Sequence, residues 1–177
     1  MFEQRGRVVP LDTLAGPDGK LSLPRNGLLI LAQPRALSPD ENVALDAWVR
    51  SGGRLLLFAD PMLTADSEYP LGDPRRPQSM AMLSPILTHW GVELEFDVDQ
   101  PAGERAAEIF GATLPVNLPG QFRVLPDSNC RIEGGGLAVD CKIGEGRVIA
   151  IADAALFDGD NAGRDAPLRA FLDRIAS

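Results

Sequence analysis

The stretch 27–60 limits the fold more than any other part of the sequence, because two apolar runs flank a helix signal there. The runs GLLILA and RLLLFA are short and almost free of charge, which is typical of strands buried on both faces. Between them, Ser38 and Glu41 have the spacing of a capping box, with Pro39 at the first helical position. Strand, helix and strand in this order predict a βαβ unit with two parallel strands and a right-handed crossover.

Gly52 and Gly53 stand between the predicted helix and the second strand. A phosphate-binding loop needs the opposite order, in which glycines follow a strand and precede a helix. Glycine also adopts the left-handed conformation that ends many helices. We therefore interpret the pair as the end of the helix, and no Walker lysine pattern occurs elsewhere in the sequence.

The last third of the sequence predicts a hairpin followed by a helix. Apolar residues alternate with polar or small ones over 137–143, GEG makes a turn, and RVIAIA forms the second strand. Apolar residues then recur with helical spacing over 168–175. Together these elements predict a single α/β domain over 1–177, with a mostly parallel sheet flanked by helices and a C-terminal hairpin.

The middle of the chain is less regular. Residues 84–91 have the pattern of a short helix, and 92–97 alternate as a strand with one polar face. Residues 100–126 carry four prolines, and only the run at 122–125 resembles a strand.

Composition and charge exclude some classes of partner. The chain has 25 acidic and 17 basic residues, so its net charge is −8. Nucleic acids and anionic membranes select clustered lysine and arginine, and both are therefore disfavoured as partners. No apolar run is long enough to cross a membrane, and the N-terminus lacks the apolar core of a signal peptide. We expect a soluble domain, and the soluble part of a longer membrane-tethered chain fits this expectation equally well.

Asp60 and Asp153 each follow a predicted strand directly. Ligands of open α/β sheets gather beyond the carboxyl ends of the strands, so the two carboxylates are candidates for binding a cation or a polar ligand. The alternative is that each aspartate caps the loop that follows it by accepting main-chain N–H bonds. Both interpretations stay open at this point.

Asp158 and Asp160 begin a segment that resembles the start of a calcium-binding loop, with Gly163 at the sixth position. The fifth position is Ala162, and the twelfth is Arg169 where a bidentate glutamate is required. We interpret the segment as a turn, with a weak cation site as the alternative. The sequence predicts no metal centre and no cofactor.

The residues suited to covalent catalysis are few. His89 is the single histidine and lies at a predicted helix end, where its side chain can help to satisfy the last carbonyls. Neither Cys130 nor Cys141 follows a strand in the manner of a nucleophile elbow, so a cysteine–histidine pair is disfavoured.

The two cysteines have a structural interpretation instead. If the glycines at 134–136 form a hairpin loop, pairing Glu133 with Ala138 also pairs Cys130 with Cys141. Facing cysteines in antiparallel strands are within disulfide range. A reducing cytosol would keep them as thiols, and an oxidising compartment would favour the bond. We predict the disulfide only for an extracytoplasmic domain.

Three blocks of sequence carry a family resemblance. They are LLILAQPRALSPDENVALDAWVRSGGRLLLFADP, SPILTHWGVELEFDVD and GEGRVIAIADAALFDGDN. In this order and spacing they resemble the auxiliary-domain family of uncharacterised ABC-type transport systems, which includes the gliding-motility auxiliary component. The resemblance spans roughly 28–161. It implies a fold similar to class I glutamine amidotransferases, a flavodoxin-like arrangement, in a domain outside the cytoplasmic membrane that assists a transporter.

The resemblance leads to one principal hypothesis, which is a non-catalytic binding or scaffolding domain of an ABC-type transport assembly. Its expected partners are the membrane and ATPase subunits of the transporter, and self-association is left open. No nucleophilic cysteine follows a strand, which disfavours an active amidotransferase. The alternative is a metal-assisted hydrolase of the same fold that uses Asp60, Asp153, Asp158 and Asp160. A sugar- or peptide-binding module is a third hypothesis.

Overall fold

The computed structural model describes residues 7–70, 72–73, 75–158 and 164–177. The βαβ unit is confirmed. Its elements are β1 (Leu28–Ala32), α1 (Pro39–Arg50) and β2 (Arg54–Phe58), and the two strands pair in parallel. The capping box is present as well, since Ser38 Oγ accepts the N–H of Glu41 and the Glu41 side chain accepts the N–H of Ser38.

The remaining elements follow in chain order. They are α2 (Ser84–His89), β3 (Val92–Glu95), β4 (Arg105–Ile109), β5 (Ala112–Val116), β6 (Gln121–Val124), β7 (Cys130–Glu133), β8 (Ala138–Ile143), β9 (Gly146–Ile151) and α3 (Asp165–Ala176). Single 3-10 turns lie at Gly134–Gly136 and Ala155–Phe157. None of the described helices is long and apolar enough to span a membrane.

The main sheet has five described strands in the order β1-β2-β9-β8-β7. β1, β2 and β9 are parallel, whereas β8 and β7 join through antiparallel pairings. The predicted hairpin of β8 and β9 is confirmed. The prediction of a mostly parallel sheet is wrong, because half of the sheet is built from hairpin-connected neighbours, which are antiparallel by necessity. The fold is a mixed α/β arrangement.

Residues 100–126 contain more structure than their sequence indicates. β4 and β5 form a separate two-stranded sheet, and β6 pairs with β3 in another. Only β6 has the expected strand signal. β4 and β5 carry mixed polar residues and a proline, Pro115, so their pairing depends on tertiary contacts.

The core lies on both faces of the main sheet. On one face α3 packs over β2, where Phe58 lies 6.3 Å from Phe171 and 4.7 Å from Phe157 between ring centroids. α1 contacts β9 and α2 and buries Leu45, Trp48 and Val49. Most apolar side chains of α1 are therefore used in the core. Val43, 67% exposed, is the exception.

Gly52 and Gly53 have the structural role that their order predicts. α1 ends at Arg50 with Ser51 as its C-cap, and Gly52 follows with φ of 116°, in the region that favours glycine. Gly53 has a second role that the sequence does not reveal. A Cβ at this position would lie 2.5 Å from the indole ring of Trp48, so the ring packs directly on the glycine main chain.

Candidate functional site

The carboxyl ends of β1, β2 and β9 lie at one edge of the main sheet, as the parallel register requires. The residues that follow them are Gln33, Asp60 and Asp153, and all three are buried. We call these three residues the strand-end site. The structure thus brings together the two aspartates that the sequence predicts as neighbours.

Gln33 joins the ends of β1 and β2. Its Oε1 accepts the N–H of Asp60 at 2.9 Å, and its Nε2 donates to the Asp60 carbonyl at 3.0 Å. The same Nε2 donates to the carbonyl of Gln78 at 2.9 Å, which ties the loop after β2 to the sheet. No sequence motif marks Gln33 as part of the site. The sequence signal that could have identified it is a polar side chain directly after an apolar strand.

Both oxygens of the Asp60 carboxylate accept main-chain hydrogen bonds. Oδ1 accepts from Met62 at 2.8 Å, and Oδ2 accepts from Ala154 at 3.2 Å. The second bond reaches across to the loop after β9, so Asp60 connects two strand ends. Burial raises the pKa of Asp60, main-chain donors oppose the shift, and Asp158 adds to it.

Asp153 is held in the same manner. Oδ1 accepts from Ala155 at 2.7 Å, and Oδ2 accepts from Asn117 at 2.9 Å, in the segment after β5. Burial raises the pKa of Asp153 to about 7, and the charges of Asp60 and Asp158 push it in the same direction. The capping interpretation accounts for all four carboxylate oxygens of the two aspartates, whereas ligand binding by them stays a prediction.

Asp158 lies near the strand-end site at the end of the 3-10 turn. Its pKa is raised, mainly by burial, while Arg164 acts in the opposite direction. Asp160 and the rest of the predicted cation loop, 159–163, lie outside the described residues. Within the described ranges no group of three or more histidine, cysteine or acidic side chains is arranged to hold a metal ion.

His89 and the cysteines lie elsewhere. His89 ends α2 as predicted, and its Nε2 is 3.5 Å from an oxygen of Asp46 and 3.2 Å from Arg50. The predicted register of β7 and β8 is confirmed, with Cys130 opposite Cys141, and a disulfide joins the two cysteines. Among the described residues no histidine–cysteine pair is therefore available as a nucleophile and base.

A cleft of about 440 Å³ lies next to the strand-end site, and sequence analysis did not predict it. We call it the hairpin cleft. Its walls come from the end of β3, from the β4–β5 hairpin and from the glycine turn after β7. Its main side chains are Phe96, Asp97, Gln100, Arg105 and Gln121.

The hairpin cleft is joined directly to the main sheet. Gly120, part of its lining, donates its N–H to the Ala152 carbonyl at the end of β9, at 2.7 Å. Its residues come from separate elements, and three of the five main side chains, Gln100, Arg105 and Gln121, lie in the stretch 100–126, for which the sequence predicts little structure. The one sequence signal for the cleft is a polar residue beside a turn glycine, as in Gln121 after Gly120.

The family of the chain is shown by comparison with family models. Residues 7–109, more than half of the sequence, match the model described as an ABC-type uncharacterized transport system. The chain belongs to this auxiliary family of ABC-type transport systems. The match begins before β1 and ends with β4, so it covers the βαβ unit and Asp60, whereas Asp153 lies beyond it. No curated protein matches the sequence.

Solved structures with a similar arrangement are much longer enzymes. Gan42B, a GH42 β-galactosidase from G. stearothermophilus, is 13% identical over 83% of this chain, with a TM-score of 0.54. The exo-β-1,4-mannosidase Op5Man5 from Opitutaceae bacterium strain TAV5 is 16% identical over 84%, with a TM-score of 0.48. This chain spans only 21% and 23% of those two proteins. The likeness to Gan42B concerns the fold alone.

Proposed function

We propose that the chain is a non-catalytic binding or scaffolding domain of an ABC-type transport system, located on the extracytoplasmic side of the membrane. Family membership supports the association with transporter components. The observation that carries the non-catalytic role is the hydrogen bonding of Asp60 and Asp153. Each of their four carboxylate oxygens accepts a main-chain N–H, so the two side chains hold loops in place.

The disulfide supports the extracytoplasmic location. Cys130 and Cys141 bond the edge strand β7 to β8, a position at which the bond restrains the open side of the sheet. Such bonds persist in oxidising compartments and are rare in a reducing cytosol. A domain outside the cytoplasm meets a transporter at its membrane subunits, and these are the proposed partners. We also propose that the fold of the chain is of the class I glutamine amidotransferase type.

The location is tested by the state of the cysteines in the cell. Whole cells are quenched with acid, and the protein is unfolded and alkylated without reduction. We expect no alkylation at Cys130 or Cys141, and alkylation of both after reduction. Two free thiols in the unreduced sample would contradict the extracytoplasmic location.

The scaffolding role is tested by purification of the natural full-length protein together with the transporter subunits encoded beside it. We expect the membrane subunit to copurify in stoichiometric amount. The purified protein is also assayed for hydrolysis and for bound divalent metal. A turnover that Asp153→Asn abolishes while the fold survives, or a stoichiometric ion held by at least two of the strand-end aspartates, would overturn the proposal in favour of a hydrolase.

A further inference from the structure

We propose that the hairpin cleft binds a neutral, polyhydroxylated ligand of the class of mono- and disaccharides. The inference gives a ligand class to the binding role proposed above, but it depends only on the geometry and charge of the cleft. A volume of about 440 Å³ is in the range of small-molecule sites and suits one or two sugar rings.

The cleft offers hydrogen-bond donors. Arg105 is exposed on β4 and has no carboxylate partner among the described residues. Its Nη2 donates to Gln100 Oε1 at 3.2 Å, and its other N–H groups make no hydrogen bond within the described chain. Gln100 is fixed in turn, because its Nε2 donates to the carbonyls of Pro119 and Asp97. The guanidinium is therefore oriented and still has donors for a ligand.

The cleft also offers an acceptor, from Gln121 at the start of β6. Gln121 Nε2 donates to the Gly135 carbonyl at 3.0 Å, which leaves Oε1 as a fixed acceptor. Gly136 packs against this side chain, since a Cβ there would lie 2.5 Å from Gln121 Cγ. A Cβ at Gly135 would meet no atom within 4 Å, so the turn is open at its centre. The amide is thus positioned by the turn beside open space.

The charges of the lining favour a neutral ligand. Arg105 supplies one positive charge, while Asp97 and Glu95 supply negative charge on the neighbouring wall, with Glu95 paired to Arg123 at 2.6 Å. An anion in the cleft would be repelled by the carboxylates, and a cation would be repelled by the guanidinium. Hydroxyl groups both donate and accept hydrogen bonds. A neutral polyol can therefore bind the Arg105 donors and the Gln121 acceptor without burying a net charge.

One side of the cleft is apolar. Phe96, half-buried after β3, lines it together with Pro119. A pyranose ring has a face of C–H groups that packs on an aromatic ring, while its hydroxyl groups point outward to polar partners. An aromatic surface beside a few convergent polar groups is the usual composition of a small-molecule site.

The proposal is tested with the isolated chain by NMR. Amide spectra of the labelled protein are recorded during titration with glucose, galactose, mannose and cellobiose. We expect at least one of these sugars to shift the signals of Phe96, Arg105 and Gln121 with saturable, millimolar or tighter affinity. Arg105→Ala should weaken binding about tenfold or more, because a hydrogen bond from a charged donor is lost. Arg131→Ala, another exposed strand arginine outside the cleft, should leave the affinity unchanged.

Three results would overturn the inference. They are no saturable shift with any of the four sugars, equal affinity in the wild type and Arg105→Ala, and cleft shifts produced by trialanine but by none of the sugars. Failure of the transporter role is distinguishable, because it appears as loss of copurification in a chain that still binds sugar. Loss of sugar binding in Arg105→Ala with copurification retained would support both proposals.

Discussion

Glu41 and the pair Asp60 and Asp153 are buried to a similar degree, with exposed fractions of 3% and 1%, yet their surroundings shift the pKa in opposite directions. At Glu41, hydrogen bonds from Arg35 hold the pKa well below its usual range. At the strand ends, burial raises the pKa of both aspartates, to about 7 for Asp153. Every carboxylate oxygen in both places accepts hydrogen bonds, so satisfaction of the oxygens does not explain the difference.

The pKa shifts differ in direction because Glu41 is paired with a cation and the strand-end aspartates are not. Arg35 donates to the two oxygens of Glu41 at 2.8 and 2.7 Å. The strand-end aspartates receive only main-chain donors, and the charges closest to them are other carboxylates. Main-chain dipoles satisfy a buried carboxylate, but they do not offset its loss of hydration as a paired guanidinium does. Glu41 forms a cluster with Thr13, Leu14, Arg35 and Ser38, called here the Glu41 cluster, and stays ionised in it. At the strand ends, by contrast, Asp153 takes up a proton near neutral pH.

The largest expected effect is that of Glu41→Ala. The substitution removes the acceptor for Arg35, Ser38, Thr13 and the N–H of Leu14, so one buried donor and three partly buried donors lose their partner. We expect the free energy of unfolding, measured in urea, to fall by about 3 kcal/mol. Asp40→Ala, an exposed acidic neighbour in the same helical turn, should cost less than about 1 kcal/mol. Equal losses of stability in the two variants would show that Glu41 acts only through its charge at the helix N-terminus.

The second prediction concerns the pH dependence of stability. The folded pKa of Asp153 lies above its ordinary value of 3.8, so the folded state keeps a proton that the unfolded state releases. Stability should therefore fall as the pH rises from about 4 to about 7, by up to about 1.4 kcal/mol per pH unit. Urea unfolding at several pH values measures this slope.

Asp153→Asn provides the matched test. The amide cannot ionise, and one main-chain donor loses its acceptor, so the variant should be less stable at low pH by about 1 to 3 kcal/mol. Its stability should then change much less between pH 5 and pH 7. A slope as steep as that of the wild type would show that another group binds the proton.

The two sites also differ in how far the sequence predicts them. The bond between Ser38 and Glu41 is local, so the capping box is recognisable from spacing alone. Arg35 is also near, but Leu14 is 27 residues from Glu41, and no pattern predicts that contact. Asp60 and Asp153 were predictable as neighbours because parallel strands align their ends. Their bond donors, such as Asn117, come from loops whose paths the sequence does not determine.

The sheet shows the same contrast between contacts that local sequence predicts and contacts that depend on distant segments. The cysteine register followed from a glycine loop of fixed length, and the hairpin from its alternation. β4 and β5 were missed because Arg105, Glu108 and Pro115 interrupt any alternation. The hairpin cleft was missed with them, since it exists only when this hairpin packs beside the glycine turn. Local signals predicted the scaffold, whereas the cleft depends on tertiary contacts.

The third prediction concerns a substitution that leaves Glu41 without a cation, as the strand-end aspartates are. Arg35→Gln removes the cation and leaves the main-chain donors in place. Since Arg35 is 53% exposed, solvent screens the pair, and we expect a loss of about 1 kcal/mol at neutral pH. The pKa of Glu41 should rise, so the stability lost on acidification below the unfolded pKa should become smaller. Arg25→Gln is the control, at a more exposed arginine that lies 3.9 Å from Glu145 and donates to the carbonyl of Ser51.

The smallest effect is expected from Thr13→Val. The change removes the hydrogen bond from Thr13 Oγ1 to Glu41 Oε1 at 3.1 Å, together with the longer contacts of Oγ1 with the N–H and the carbonyl of Ala15 at 3.3 Å, and it keeps the shape of the side chain. We expect a loss of about 0.5 kcal/mol, since Thr13 is exposed and its hydrogen bond to Glu41 already competes with water. The N–H of Leu14 donates to the same oxygen, so its hydrogen exchange reports whether the segment stays attached to α1. Unchanged protection at Leu14 would show that main-chain donors and Arg35 alone maintain the cluster. Full loss of protection would show instead that the hydroxyl is necessary, and that the cluster depends on more than its cation.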